Sequence, residues 1–214
     1  MTVDRIELGI GKLLVTTLAA QGFELNRKWG SFVRKQPYGF DAMVIVNQGT
    51  SSGEYFKIAV HGHIHHDRIE VPWNTLGFVH GEENQRQTWT LMWTRRRNAP
   101  LWKVFPATMQ ADMTVVAREI EVVLSEELLP FFKRYANLDE IEKLANVRPL
   151  VEYEQYSVGG PLDHRAMRSL LLAKAANPGR YASVREAFVT SELKTLFPRA
   201  KCMELLARVD EMRI

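Results

Sequence analysis

Tyr55-Phe56-Lys57-Ile58-Ala59-Val60-His61-Gly62-His63-Ile64-His65-His66 is the stretch that most constrains how this chain can fold. Ile58, Val60 and Ile64 alternate with Lys57, Ala59, His61, His63 and His65, the two-residue period of a strand with one apolar and one polar face. On such a strand His61, His63 and His65 point the same way and His66 points the other. The rest of the chain is therefore organised around a sheet. Four of the six histidines lie here, so the same stretch is where residue types and spacing suggest chemistry.

Before this stretch the period is helical. Val3, Ile6, Ile10, Leu13, Leu14, Thr17 and Leu18 predict an amphipathic helix over 3–21, with Thr2 as N-cap and Gly22 as stop. Gly9 and Gly11 each cost a helix interior about 1 kcal/mol, so they are expected to permit close packing against the sheet. Gly9-Ile10-Gly11-Lys12 has no preceding strand, no four-residue gap and no Ser or Thr after the lysine, so it is not read as a phosphate loop.

From Phe23 the period changes. Phe32 to Lys35, Met43 to Gln48 and the histidine stretch read as antiparallel strands, separated by Pro37-Tyr38-Gly39 and Gly49-Thr50-Ser51-Ser52-Gly53. Val71-Pro72-Trp73-Asn74 and Gly81-Glu82-Glu83-Asn84-Gln85 mark a polar excursion, after which Thr88 to Trp93 returns as a strand with Trp89, Leu91 and Trp93 on one face. A long helix is predicted from about Thr108 to Tyr135, with Pro130 kinking or dividing it. Asn137 then caps a short helix through Ala145, with Glu140 three residues on.

Residues 148–160 read as a linker or a short extra strand at Leu150, Val151 and Tyr153. Helices follow over Leu162 to Ala176, Val184 to Leu196 and Ala200 to Met212. They are separated by Asn177-Pro178-Gly179 and by Pro198, and the second opens on the capping box Ser183-Val184-Arg185-Glu186. The expected class is α+β: an N-terminal helix, an antiparallel sheet of about four to five strands with a long helix packed on it, then a C-terminal helical segment. The corresponding division is an α+β domain over 1–147 and a helical subdomain over 161–214 packed on it.

Composition excludes several function classes. A chain of 214 residues that is 46% hydrophobic can bury a substantial core, which argues against disorder. The net charge is +3, with 17 basic and 17 acidic residues in 1–147 against 11 and 8 in 148–214. So even a balance does not supply the clustered basic stripe that nucleic acid requires. Cys202 is the sole cysteine, which excludes an intrachain disulfide and a Cys-rich zinc site. No apolar run approaches the ~20 residues needed to cross a bilayer, and no basic start leads into a signal segment, so a cytoplasmic protein without membrane contact is expected.

Helix one ending in Gly22-Phe23, the strand around Phe32-Val33-Arg34, and Leu128-Leu129-Pro130-Phe131-Phe132-Lys133-Arg134-Tyr135-Ala136-Asn137-Leu138-Asp139-Glu140-Ile141 resemble the bacterial family catalogued as domain of unknown function 4304. The resemblance covers roughly residues 5–145. It implies a helix, an antiparallel sheet and helices packed on that sheet, and it brings no established activity or site residue. The His61 to His66 run lies outside the family pattern.

His61, His63, His65 and His66 are the right ligand types for zinc, and imidazoles at i and i+2 on one strand face are close enough to share an ion. The run also resembles the His-x-His-x-Asp-His signature of metallo-β-lactamase-like hydrolases, but His65 occupies the acid's position, Asp67 comes late, and no downstream ligand series follows. The plainer reading is a solvated strand face whose histidines are merely polar. Arg95, Arg96 and Arg97, beside Trp89, Trp93 and Trp102, could bind phosphate with aromatic stacking or meet an acidic protein partner. Their plainer reading is a solvated turn over buried tryptophans. Asp163-His164 reads as a helix start. Glu119, Glu121, Glu126 and Glu127 read as solvent-facing, and Cys202 as core.

With no complete catalytic constellation in the chain, the expected function is a non-catalytic protein-binding module. The partner is another protein, of the kind an immunity protein meets when it neutralises a cognate bacterial toxin. Arg95, Arg96, Arg97 and Trp102 are the candidate partner-binding residues, and no cofactor is implied. The alternative is a metal-dependent hydrolase using His61, His63, His65 and His66, and the second alternative is a nucleic-acid binder.

Overall fold

A computed structural model describes residues 3–47, 55–78, 81, 88–94, 103–106, 110–146, 156–160, 162–192 and 198–214. It is α+β. The strands are β1 (Glu24–Asn26), β2 (Ser31–Gln36), β3 (Gly39–Asn47), β4 (Tyr55–His66), β5 (Leu91–Thr94), β6 (Lys103–Pro106) and β7 (Tyr156–Val158). They follow the sheet order β1-β2-β3-β4-β5-β7, with β6 on β4. The pairs β1 with β2, β2 with β3, and β4 with β6 are antiparallel. The sheet has seven strands, more than the four to five expected. The additions include β1, β6 and β7, whose three or four residues are too few to show a period.

The helices are α1 (Val3–Ala20), α2 (Asp67–Thr75), α3 (Gln110–Val123), α4 (Leu129–Tyr135), α5 (Leu138–Asn146), α6 (Leu162–Ala176), α7 (Pro178–Ala187) and α8 (Arg199–Glu211). The chain divides into two compact units, Met1–His63 with Trp93–Lys133 and Ile64–Met92 with Arg134–Ile214.

In the first unit α1 buries Ile10, Leu14 and Leu18, one stripe at four-residue spacing. It ends as expected at Gly22. With φ at +81°, Gly22 donates its N–H to Ala19, and Phe23 donates to Leu18. These two bonds form a Schellman motif, and the buried Phe23 and Leu18 supply its apolar contact. A Cβ on Gly9 would lie 2.8 Å from Met113 Sδ, so this glycine admits α3 rather than the sheet. A Cβ on Gly11 would meet the Phe32 ring of β2 at an ordinary 3.6 Å. The Thr17 hydroxyl donates to the Glu121 carboxylate, about two turns beyond the Gly9 contact on both helices, so α1 and α3 run parallel.

The long helix is divided, as Pro130 predicts, and the division takes the form of a π-helical turn over Leu124–Leu128, closed by the Leu129 N–H on the Leu124 carbonyl. Proline cannot donate the helical bond and its ring crowds the preceding turn, so widening that turn relieves both problems. The register Phe32 to Met43 and Arg34 to Asp41 puts these four residues on one sheet face, with Phe32 against α1. Gly62 of β4 faces the helices too. A Cβ there would lie 2.5 Å from Leu128 Cδ2 and 3.4 Å from Phe131 and Phe132.

In the second unit α6 packs on α2, α5 and α7. Its Ala166, Met167, Leu170, Leu171, Leu172 and Ala173 are all buried. Asn137 caps α5 as expected, its Oδ1 accepting from the Asp139 N–H at 2.9 Å. Two expectations are corrected here. Val71-Pro72-Trp73-Asn74 is helical, because Ile69 and Trp73, one turn apart, give α2 a fully buried face that outweighs the internal proline. Asn177 does break the chain, but the next helix starts at Pro178, not near Val184. Proline is suited to a first helical turn, and Ser183 lies within that helix with its hydroxyl on the Arg180 carbonyl.

The Lys174 ammonium donates to the Val209 and Asp210 carbonyls at the end of α8, at 2.5 and 2.6 Å. Arg208 donates to the Thr75 and Leu76 carbonyls at the end of α2. Each cation thus satisfies carbonyls that a helix leaves open at its C-terminus.

Candidate functional site

The histidine stretch forms the predicted strand. Gly62 points to the helix-covered face, so His61 and His63 project from the other. Their rings lie 6.4 Å apart with planes 25° from parallel. Burial pushes the His61 imidazole down, and burial with the neighbouring His61 brings His63 to about 3. Both rings are therefore neutral near pH 7, and the buried Nδ1 of His61 has no hydrogen-bond partner among the described residues.

His65 and His66 belong to the second unit and are buried, which corrects the expectation of a solvated histidine face. The Thr88 carbonyl lies 2.7 Å from His65 Nδ1 and can only accept, so that nitrogen carries a hydrogen. His65 Nε2 is 3.2 Å from Asp67 Oδ1. The His66 N–H donates to Thr90 Oγ1 at 3.0 Å, and burial followed by the nearby Arg68 charge lowers its imidazole to about 4. Among the described residues no three His, Cys, Asp or Glu side chains converge to hold a metal ion.

The most strongly organised polar cluster is one that motif and spacing do not reveal. Glu70, fully buried on α2, meets Arg168, 3% exposed on α6, in a two-pronged ion pair. Arg168 Nε donates to Oε1 at 2.9 Å and Nη2 to Oε2 at 2.8 Å, while Nη1 donates to the Gly159 carbonyl at 2.8 Å. The Thr90 hydroxyl donates to Glu70 Oε1 at 2.9 Å. The Thr90 backbone N–H donates to Ile64, and its carbonyl accepts from Gly159. The guanidinium carbon sits 3.9 Å from the centre of the Trp73 ring, which stacks on Phe78 at 4.6 Å.

This closeness requires Gly159, since a Cβ there would fall 2.0 Å from the Trp89 carbonyl oxygen. Its one trace in the sequence is Arg168, set among Ala166, Met167, Leu170, Leu171 and Leu172. A charge inside an otherwise buried run must have a buried partner.

A second cluster lies in the first unit. Asp41, fully buried, accepts at Oδ2 from Arg34 Nε, Arg34 Nη2 and Gln36 Nε2 at 3.1, 2.8 and 3.0 Å, and at Oδ1 from the Tyr38 hydroxyl at 2.6 Å. The Arg34 guanidinium lies over Phe23 and Phe132. Burial raises the Asp41 carboxyl against these donors, and burial with the Asp41 bond raises the Tyr38 hydroxyl.

Arg95, Arg96, Arg97 and Trp102 lie outside the described residues. His164 lies in the first turn of α6, with its ring 4.9 Å from that of Trp73 and 5.1 Å from that of Phe78. Glu121 is half-buried and bonded to Thr17 instead of facing solvent, whereas Glu126 is exposed as expected. Cys202 is buried in α8, and burial raises its thiol.

No protein-family model matches the chain, and no curated protein or solved structure gives a significant match. No helix among the described residues is long and apolar enough to cross a membrane.

Proposed function

We propose that this protein works by binding another protein and performs no chemistry of its own, in the manner of an immunity protein that neutralises a cognate toxin. The observation that supports this reading is the closure of the fully buried carboxylates Glu70 and Asp41. A catalytic acid, base or nucleophile needs a face turned toward substrate. Glu70 and Asp41 instead spend both carboxylate oxygens on donors of their own unit. Five cations of the C-terminal helices are similarly engaged. Arg165 donates to the Gly160 carbonyl, Arg180 meets Glu142, Arg185 meets Asp210, and Lys174 and Arg208 close helix ends. Their charge is directed at partners within the unit, which counts against a basic stripe for nucleic acid.

The recognition surface proposed is the one expected from the sequence, Arg95, Arg96 and Arg97 with Trp102. The test is co-expression with the product of the reading frame adjoining the gene, with survival and complex formation on a sizing column as readouts. The wild-type chain is expected to protect and to co-elute. The triple Arg95→Ala, Arg96→Ala, Arg97→Ala variant is expected to keep its thermal midpoint while its complex weakens and loses salt dependence. A triple variant with unchanged affinity overturns the assignment of the surface, and a wild-type chain that forms no complex overturns the immunity reading.

One observation favours the metal-dependent alternative, the buried Nδ1 of His61, which has no hydrogen-bond partner among the described residues, beside a second neutral imidazole. Elemental analysis of protein purified without a histidine tag separates the two readings. Near one zinc per chain, lost in the His61→Ala, His63→Ala variant, would put the hydrolase first.

A further inference from the structure

We draw no further inference here: the strongest candidate, the His61 and His63 side-chain pair on β4, belongs to the site already described and brings together two imidazoles with no third metal donor among the described residues.

Discussion

Asp41 and Glu70, fully buried carboxylates of different units, meet an arginine in different ways. Asp41 is served by Arg34, Gln36 and Tyr38, all within one hairpin, so the turn that joins β2 to β3 assembles the whole cluster. Glu70 is served by Arg168, 98 positions away, and by the Thr90 hydroxyl, while the Gly159 backbone bonds to both of these residues. The first arrangement forms as soon as a local hairpin does. The second exists only once α2, α6 and the strand ends have packed, so its energy depends on the tertiary fold of the second unit. Solvent widens the difference: the Arg34 side chain is 21% exposed and Arg168 only 3%.

The largest effect should come from breaking the nonlocal pair. Arg168→Met leaves Glu70 with the Thr90 hydroxyl as its one remaining donor of those described, in a site without water access, and should cost about 3–5 kcal/mol. Adding Glu70→Gln to that variant removes the stranded charge and should recover a substantial part, since much of the penalty is the unpaired carboxylate rather than the lost attraction. Urea midpoints of the two variants check this. Equal stability in both would mean that the buried charge is not what the arginine compensates.

The contrast between the clusters also explains what the sequence disclosed. The alternation of Ile58, Val60 and Ile64, the Gly22 stop, the Asn137 cap and the Pro130 division are local preferences, readable one segment at a time, and each appears in the fold. Pairing over a long separation leaves no such trace. Val71-Pro72-Trp73-Asn74 reads as part of a polar excursion because Pro72 dominates the local pattern, while the burial that makes α2 a helix comes from residues far along the chain. Gly159 gives no local sign of the close approach of Trp89. The candidate histidines were visible as residue types, but their sharing of partners was not. His65 is bonded to Thr88, and His66 is joined through its backbone to the Thr90 and Glu70 network.

Acid should come next in size, and it acts on both units. His63 in the first and His66 in the second are held neutral, at about 3 and about 4. A histidine whose folded value lies below the unfolded 6.5 contributes stability that is complete above pH 6.5 and is lost as pH falls toward the folded value. Each should therefore remove about 1.4 kcal/mol per pH unit once pH is well below 6.5 and above those values. The carboxyls held low by cations, Glu140 and Asp210, lose their contribution only below about pH 4.5, and Asp41, raised by burial, gains stability as it protonates, so a loss in the window from 6.5 to 4.5 belongs to the histidines. Urea midpoints measured across that window should fall, and a neutral His63→Asn variant should show a shallower slope. An unchanged slope would mean that His63 does not titrate with unfolding.

Arg34→Met tests the local cluster directly. It strips two of the three donors from Asp41 Oδ2 and the cation from the faces of Phe23 and Phe132. Gln36 and Tyr38 remain, water can reach the vacated position, and Asp41 can take up a proton more readily because burial already raises it. The expected loss is about 1–3 kcal/mol, below that of Arg168→Met. A larger loss from Arg34 than from Arg168 would reverse the comparison and make the hairpin the more demanding site.

The smallest expected change is Tyr38→Phe, and it separates donor count from charge. The hydroxyl gives Asp41 Oδ1 its 2.6 Å bond, while Arg34 and Gln36 act on Oδ2 and stay in place. Removing it alters neither the ion pair nor the ring's apolar contacts, so the cost should be that of one hydrogen bond to a carboxylate, about 1–2 kcal/mol. The variant also raises the carboxyl's tendency to hold a proton, because the bond from Tyr38 is the largest of the influences that lower it. Loss of that bond should therefore shrink as pH is lowered toward the range in which Asp41 protonates. Stability measured at pH 7 and at pH 4 should differ less between variant and wild type at the lower pH. A difference that grew on acidification would show that Tyr38 serves the protonated carboxyl, and that the local cluster is held by a neutral acid rather than by an ion pair.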